Sequence, residues 1–382
     1  MRRAQSPARG LARAIASRAS AWARGLAAAG ALAWAATHAA DLKLATEPTT
    51  GAAPAVAASG PLTAPPEHRR PPDQTFLTFP EWFLVHSPAE YAHYLAGGDR
   101  VSAFPLFAHV GQFWQAYGAV TREVSRYPFN GGYHLMICVI GTSTTVEYSL
   151  KGVYEHTIGR LAEATVTGHE PVPEERFAAA YAQRYVDFIR VDPWYLFDFG
   201  GELKTLWSDA PTHGPNLVRR WERRFLLTTE LLVKSGYGKL IKLGTRSIYD
   251  APKPVTAVVL ASPPPPRALA DHPDLVVLQA DGRETLATLP RYEGFTTYAR
   301  WLADDGVNFR EIAGNDGEVL VSLLVPTGWR PAPGQRLLFE QPLLTLPGRQ
   351  RSVLALPIAQ LGALLRDVDR QPALQVEHVY DF

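Results

Sequence analysis

The chain has 382 residues, of which 46% are hydrophobic and 20% charged, and its formal net charge is +1. This balance excludes disorder of the whole chain, and the small net charge gives no global field that would attract nucleic acid. The one cysteine, Cys138, excludes an intrachain disulfide, and its apolar neighbours predict a buried thiol.

The first forty residues combine a basic stretch with an apolar one. Residues 1–24 contain six arginines and no acid, and nearly all of residues 25–40 are small or apolar. This order is typical of a signal peptide or a signal anchor. We therefore predict a transmembrane helix or export signal in residues 1–40, with membrane contact through residues 25–40. The sequence leaves open whether this segment is cleaved.

Two proline-rich stretches divide the rest of the chain. Residues 41–73 and 251–274 are predicted linkers, extended where prolines cluster. They delimit a helical, aromatic-rich domain at 74–250 and a second domain at 275–382. The predicted fold class is therefore α+β in two domains.

The first domain has several segments with helical patterns. A capping box at 87–90, with proline at the first helical position, predicts a helix that ends near residue 96. Glu147, Lys151 and Glu155 are spaced four residues apart, which predicts ion pairs along one helix. The predicted helices are 88–96, 107–125, 132–161, 174–189 and 216–248.

The second domain alternates strand and helix patterns. Asp281-Gly282 and the segment 314–317 are hairpin signals. Predicted strands are 255–260, 275–279, 307–313, 318–325, 336–339, 353–356 and 375–380, and predicted helices are 295–304 and 358–369. Around the two helices the order of elements matches a ferredoxin-like βαββαβ unit with extra hairpins.

Four segments, FLTFPEW (76–82), YPFNGGYH (127–134), VEYSLKGVYE (146–155) and DPWY (192–195), carry a resemblance. They are similar to a group of bacterial proteins of uncharacterised function that have an N-terminal apolar segment. The resemblance covers about residues 74–250 and implies no reaction, substrate or site residue. It implies a bacterial envelope protein, here placed at the inner membrane with its globular part in the periplasm.

The first domain also contains the candidate site residues. Glu81, His93, His134 and Asp192 could line a pocket, and their convergence would favour an enzyme. The spacing of Glu90 and His93 is that of a metal-ligand pair, but the chain has no second Glu-x-x-His, so we predict no metal and no cofactor. Local motifs for phosphate, dinucleotide or nucleophilic-serine chemistry are absent from the sequence.

The segment 217–246 has eight basic and two acidic residues. One interpretation is an amphipathic helix with a solvated basic face, and another is a helix on an anionic membrane. The candidate membrane contacts are Arg219, Arg220, Arg223, Arg224, Lys239 and Lys242.

Three functional hypotheses remain open from the sequence. The first is a membrane-anchored envelope protein that binds an unidentified protein or small molecule and no nucleic acid. The second is an enzyme with a site among the helices of residues 74–250. The third is a peripheral lipid-binding protein that uses the basic helix.

Overall fold

The computed structural model of the protein describes residues 61–245 and 255–381. Helices make up the first of these segments and strands dominate the second, which confirms the α+β class with a helical region first. The first segment contains α1 (Thr78–Ala96), α2 (Leu106–Val124), α3 (Gly131–Tyr154), α4 (Arg160–Glu163), α5 (Pro173–Ile189), α6 (Phe199–Asp209) and α7 (Leu217–Thr245). A π-helical turn, Glu155–Gly159, joins α3 to α4.

Helix α1 begins well before the predicted capping box. Pro88 lies inside it, so the helix loses one backbone hydrogen bond at this position. Ser87 does not cap the helix, and its hydroxyl instead bonds to His109 and Tyr148. Apolar burial at both ends of the helix offsets the lost hydrogen bond, because Phe79 and Phe83 lie in one core and Leu95 lies in another.

The second segment contains β1 (Val255–Leu260), α8 (Pro266–Asp271), β2 (Val276–Ala280), β3 (Thr285–Pro290), α9 (Glu293–Asp304), β4 (Phe309–Ile312), β5 (Glu318–Pro326), β6 (Arg336–Pro342), β7 (Arg349–Pro357), α10 (Leu361–Asp369) and β8 (Gln375–Tyr380). The strands form two antiparallel four-stranded sheets. Sheet A has the order β2-β3-β1-β4, and sheet B has the order β6-β7-β5-β8. The predicted hairpin at Asp281-Gly282 is confirmed, since β2 pairs with β3 and Gly282 has a φ of 87°.

The ferredoxin-like topology is not confirmed. The segment 314–317 was predicted to join two paired strands, but β4 pairs with β1 in sheet A and β5 pairs with β7 and β8 in sheet B. At this turn the chain passes between sheets, with Ala313 and Gly314 both at positive φ. The strands around α9 and α10 are therefore divided between two sheets, whereas a ferredoxin-like unit has them in one.

Sheet B lies between two layers of helix. On one face, Val321 and Leu354 pack in a core that includes α9, α10 and sheet A. On the other face, Leu320, Val353 and Tyr380 pack against α1 and α2. Since side chains alternate along a strand, Ser322 and Arg351 also point to the helical side. The helical region and the sheet region therefore share an interface that contains polar groups.

Residues of both predicted linkers form structure. Leu62 and Ala64, from the predicted linker 41–73, pack against Ala257 and Val259 of sheet A. The predicted linker 251–274 contains β1 and α8.

Within residues 61–245 and 255–381, no helix combines the length and the apolar character needed to cross a bilayer. For the described residues, this finding contradicts the predictions of a transmembrane helix, a signal anchor and an inner-membrane protein. The segment 25–40, on which those predictions were based, lies outside the described residues.

Candidate functional site

The four candidate pocket residues have separate environments. Glu81 accepts a hydrogen bond from the Tyr133 hydroxyl at 2.7 Å. His134 bonds to the Tyr117 hydroxyl at 2.9 Å through Nδ1 and stacks on Phe129, as expected of a histidine in an aromatic cluster. His93 and Asp192 are exposed. None of the four candidates lines the cavity described next.

A cavity of about 90 Å³ lies between α1, α3, α5 and α7, with Leu106 of α2 at its edge. A water needs roughly 10–15 Å³ of such volume, so the cavity has room for about six waters or one small organic molecule. It is lined by Phe83, Leu84, Pro88, Tyr91, Leu106, Thr144, Glu147, Tyr148, Lys151, Tyr181, Ala182, Tyr185, Glu230 and Lys234.

Helical spacing brings these side chains to the cavity. Residues 144, 148 and 151 of α3 follow at intervals of four and three, and residue 147 lies four before residue 151, so the four share one face. The same spacing places Tyr181 and Tyr185 together on α5, and Glu230 and Lys234 together on α7. Each helix contributes its polar and aromatic residues to the same space.

Two lysines and two glutamates form an ionic chain in the cavity. Lys234 Nζ lies 2.9 Å from Glu230 and 3.1 Å from Glu147, and Lys151 Nζ lies 3.3 Å from Glu230. Burial alone would raise the pKa of the Glu230 carboxyl, but Lys151 and Lys234 outweigh it and hold that pKa well below its usual range. The Glu230 carboxylate and the two lysine ammonium groups are therefore charged, and the formal charges of two lysines and two glutamates sum to zero.

The lysine–glutamate chain corrects one expectation from the sequence. Glu147, Lys151 and Glu155 were predicted to pair along their own helix, but each pairs with α7 instead. Lys151 bonds to Glu230, and Glu155 bonds to Arg223. The sequence did contain an indication of this pairing. Glu230 and Lys234 are also spaced four residues apart, so they could form ion pairs with Lys151 and Glu147 on another helix.

The tyrosines around the ionic chain are neutral hydroxyls. Burial raises the pKa of Tyr185 to about 12 and raises that of Tyr181 well above its usual value. The Tyr181 side chain is 5% exposed, and its hydroxyl has no hydrogen-bond partner within the described residues. A buried hydroxyl without a hydrogen-bond partner lowers stability by about 1–3 kcal/mol. A water or a ligand atom in the cavity that bonds to the Tyr181 hydroxyl would remove this cost.

A buried polar chain leads away from the cavity through Tyr148. Its hydroxyl lies 2.9 Å from Ser87 Oγ, and Ser87 Oγ lies 3.0 Å from His109 Nδ1. His109 Nε2 lies 3.6 Å from Glu90 Oε2. Burial lowers the pKa of His109 to about 4, so the ring is neutral at pH 7.

Serine, histidine and a carboxylate are the groups of a nucleophilic triad. Here, however, Ser87, His109 and Glu90 are all buried, and Ser87 does not line the cavity. A molecule in the cavity would meet Tyr148 before it met the serine. The three groups therefore join α1 to α2.

The polar chain continues from Glu90 into sheet B. Arg351 of β7 donates to Glu90 at 3.2 Å and to Glu377 of β8 at 2.5 and 2.7 Å. His86 of α1 bonds to the Tyr380 hydroxyl at 2.9 Å. Charged and polar groups thus cross the interface between the helical region and sheet B, where they fix how the two pack.

The basic residues of α7 are not arranged as a membrane surface. Arg219, Arg220, Arg223 and Arg224 are all buried. They form ion pairs with carboxylates of the neighbouring helices and of α7 itself, namely Glu155, Glu174, Glu175 and Glu222. The sequence predicted these four arginines as membrane contacts or as a solvated face. Both interpretations are corrected, because the four side chains are buried and paired with carboxylates.

The two lysines in that prediction lie near the end of α7. Lys239 is exposed and Lys242 is half-buried. In residues 61–245 and 255–381 there is also no group of three or more histidine, cysteine, aspartate or glutamate side chains that could hold a metal ion.

No family model, curated protein or solved structure matches the chain. The resemblance to uncharacterised bacterial proteins therefore stays a prediction.

Proposed function

We propose that this protein binds a small organic molecule in the cavity between α1, α3, α5 and α7. The observation that carries the proposal is the lining of the cavity, which combines an ionic chain with the unpartnered hydroxyl of Tyr181. Binding sites for small molecules are mostly apolar concavities with a few placed polar groups. This cavity has both, because Phe83, Leu84 and Leu106 line it beside the charges.

The polar interface supports a binding function in which the second region takes part. Tyr148 lines the cavity and hydrogen-bonds through Ser87 to His109, whose Nε2 lies 3.6 Å from Glu90, the carboxylate that accepts from Arg351 of sheet B. A ligand that moved Tyr148 would therefore act on groups that join the two regions.

The test is a cavity-filling variant. Ala182→Leu adds side-chain volume on a residue of α5 that is 7% exposed and lines the cavity. Ala180→Leu makes the same change at an exposed position of the same helix and is the matched control. Both are screened against a chemically diverse library of small molecules by native mass spectrometry and thermal shift.

We expect molecules that bind the wild-type chain to bind Ala180→Leu equally well and Ala182→Leu at least tenfold more weakly. A library in which nothing binds the wild-type chain would contradict the proposal. So would binding that is equal in Ala182→Leu, because the ligand would then occupy another place.

A further inference from the structure

The groups in the cavity also define the chemistry of its ligand, provided that the proposed binding function holds. We infer that the ligand is a small carboxylate with an apolar body, and that its carboxylate takes the place of Glu147 beside Lys234.

The lysines of the cavity have more N–H donors than carboxylate partners. A lysine ammonium has three N–H donors. Lys234 is paired with two carboxylates and Lys151 with one, and Lys151 also lies over the ring of Tyr91. The Tyr181 hydroxyl adds another donor without a partner in the described part of the chain. Both oxygens of Glu230 already accept from a lysine. Lysine N–H groups and the Tyr181 hydroxyl are therefore left to donate, and a ligand that brings acceptor atoms can receive those hydrogen bonds.

The two glutamates differ in exposure and in pairing. The Glu230 side chain is 15% exposed and lies between both lysines, whereas the Glu147 side chain is 42% exposed and, among the described residues, forms an ion pair with Lys234 only. Because the Glu147 side chain is already partly in solvent, it can turn out of the cavity at little cost in free energy. The more buried Glu230 side chain cannot. Glu147 therefore occupies the place in the cavity that a ligand carboxylate could take most easily.

The charge balance of the cavity also favours a carboxylate ligand. Two lysines and two glutamates are neutral together, and a buried charge without a partner is strongly unfavourable. If a ligand carboxylate replaces Glu147 in the cavity, the balance is kept. An amine would add a third cation beside Lys151 and Lys234, so it would be repelled.

The apolar part of the lining selects the rest of the molecule. Phe83, Leu84, Pro88 and Leu106 lie on the side formed by α1 and α2. Each methylene buried there strengthens binding about fourfold, until the volume of about 90 Å³ is filled. A short aliphatic chain or a single ring fits these limits.

The experiment compares matched probes on the full 382-residue chain by isothermal titration calorimetry. Benzoate, benzamide and benzylamine share one ring and differ in charge, while propionate and butyrate differ by one methylene. We expect benzoate to bind at least tenfold more tightly than benzamide, with no binding of benzylamine, and butyrate to bind more tightly than propionate.

Two variants test the positions of the charges. Glu147→Gln removes the competing carboxylate and is expected to strengthen benzoate binding about tenfold. Lys234→Met is expected to weaken it at least tenfold, whereas Lys239→Met, at an exposed lysine of the same helix, is expected to change nothing. Should Lys234→Met fail to fold, the Glu147 variant still decides, since its side chain is the most exposed of the four.

The outcomes separate the two proposals. If benzamide or benzylamine binds as tightly as benzoate, or if Glu147→Gln weakens benzoate binding, the carboxylate inference is overturned and the binding function stands. If no probe binds and Ala182→Leu behaves like wild type in the library screen, both are overturned.

Discussion

Arg351 is the group whose removal best tests the polar interface. Its side chain is 2% exposed and lies between Glu90 of α1 and Glu377 of β8. Replacement by methionine keeps most of the apolar stem but leaves two carboxylates without their cation. Breaking a buried ion pair by removing one partner costs about 3–5 kcal/mol. We expect Arg351→Met to lower the free energy of unfolding by about that amount at pH 7.

The pKa of Glu377 gives a similar magnitude for the loss of unfolding free energy in Arg351→Met. Burial alone would raise the pKa of this carboxyl, but Arg351 and His86 lower it from 4.5 to about 2. A shift of this size corresponds to about 3 kcal/mol of stability. Because the pKa is lower in the folded state, this stability is present above about pH 4.5 and is lost as the pH falls toward 2. The deficit of Arg351→Met should therefore shrink in acid.

The assay is urea unfolding followed by tryptophan fluorescence, at pH 7 and pH 4. The control is Arg300→Met, which breaks an ion pair with Asp369 in which the arginine is 44% exposed. An exposed pair of this kind contributes at most about 1 kcal/mol. A loss below 1 kcal/mol in Arg351→Met, or a loss equal to that of Arg300→Met, would refute the reasoning.

Three other parts of the fold allow direct tests. Burial lowers the pKa of His86 to about 3, so the unfolded chain takes up a proton below pH 6.5 that the folded chain does not. Stability should then fall by up to about 1.4 kcal/mol per pH unit from this residue between pH 6.5 and 3, and His86→Gln should show a smaller slope in urea unfolding. A Cβ at Gly141 would lie 2.2 Å from the Phe113 ring, whereas one at Gly111 would meet nothing within 4 Å. We expect Gly141→Ala to cost about 1–3 kcal/mol and Gly111→Ala to gain up to about 1 kcal/mol; equal melting temperatures would contradict this. The Asn130 side chain accepts from the Tyr133 amide at the start of α3, so Asn130→Ala should cost about 1 kcal/mol and speed hydrogen exchange in the first turn, and unchanged exchange there would count against this cap.

Local patterns in the sequence predicted most of the secondary structure. Helices α2 and α5 and strands β1 and β8 lie within one residue of the predicted bounds, because apolar periodicity and breakers determine them locally. The start of α1 was missed because Ser87 and Pro88 have the local pattern of a helix start, whereas the structure keeps Pro88 inside a longer helix.

The topology and the site required information that lies far apart in the sequence. The turn at 314–317 has the composition of a hairpin, but the partners of β4 and β5 are β1, β7 and β8. Cys138, predicted to be buried, is half-buried and donates to Tyr117. None of the four predicted pocket residues, Glu81, His93, His134 and Asp192, lines the cavity. They were chosen by residue type, and residue types do not show which helices pack together.

In its first turns, helix α7 buries charged side chains, whereas further along it buries Leu227 and Leu231. Arg219 and Arg223 point inward, whereas Val218, Trp221 and Phe225 are 48–59% exposed. Apolar periodicity would have turned the helix the other way, with these apolar residues inside. The buried carboxylates on neighbouring helices decide the orientation, since an arginine in the interior is tolerated only beside its partner. The same orientation carries Glu230 and Lys234 toward α3, about two to four turns further along. The arginine pairs at the start of α7 are therefore what places the charged groups of the candidate site.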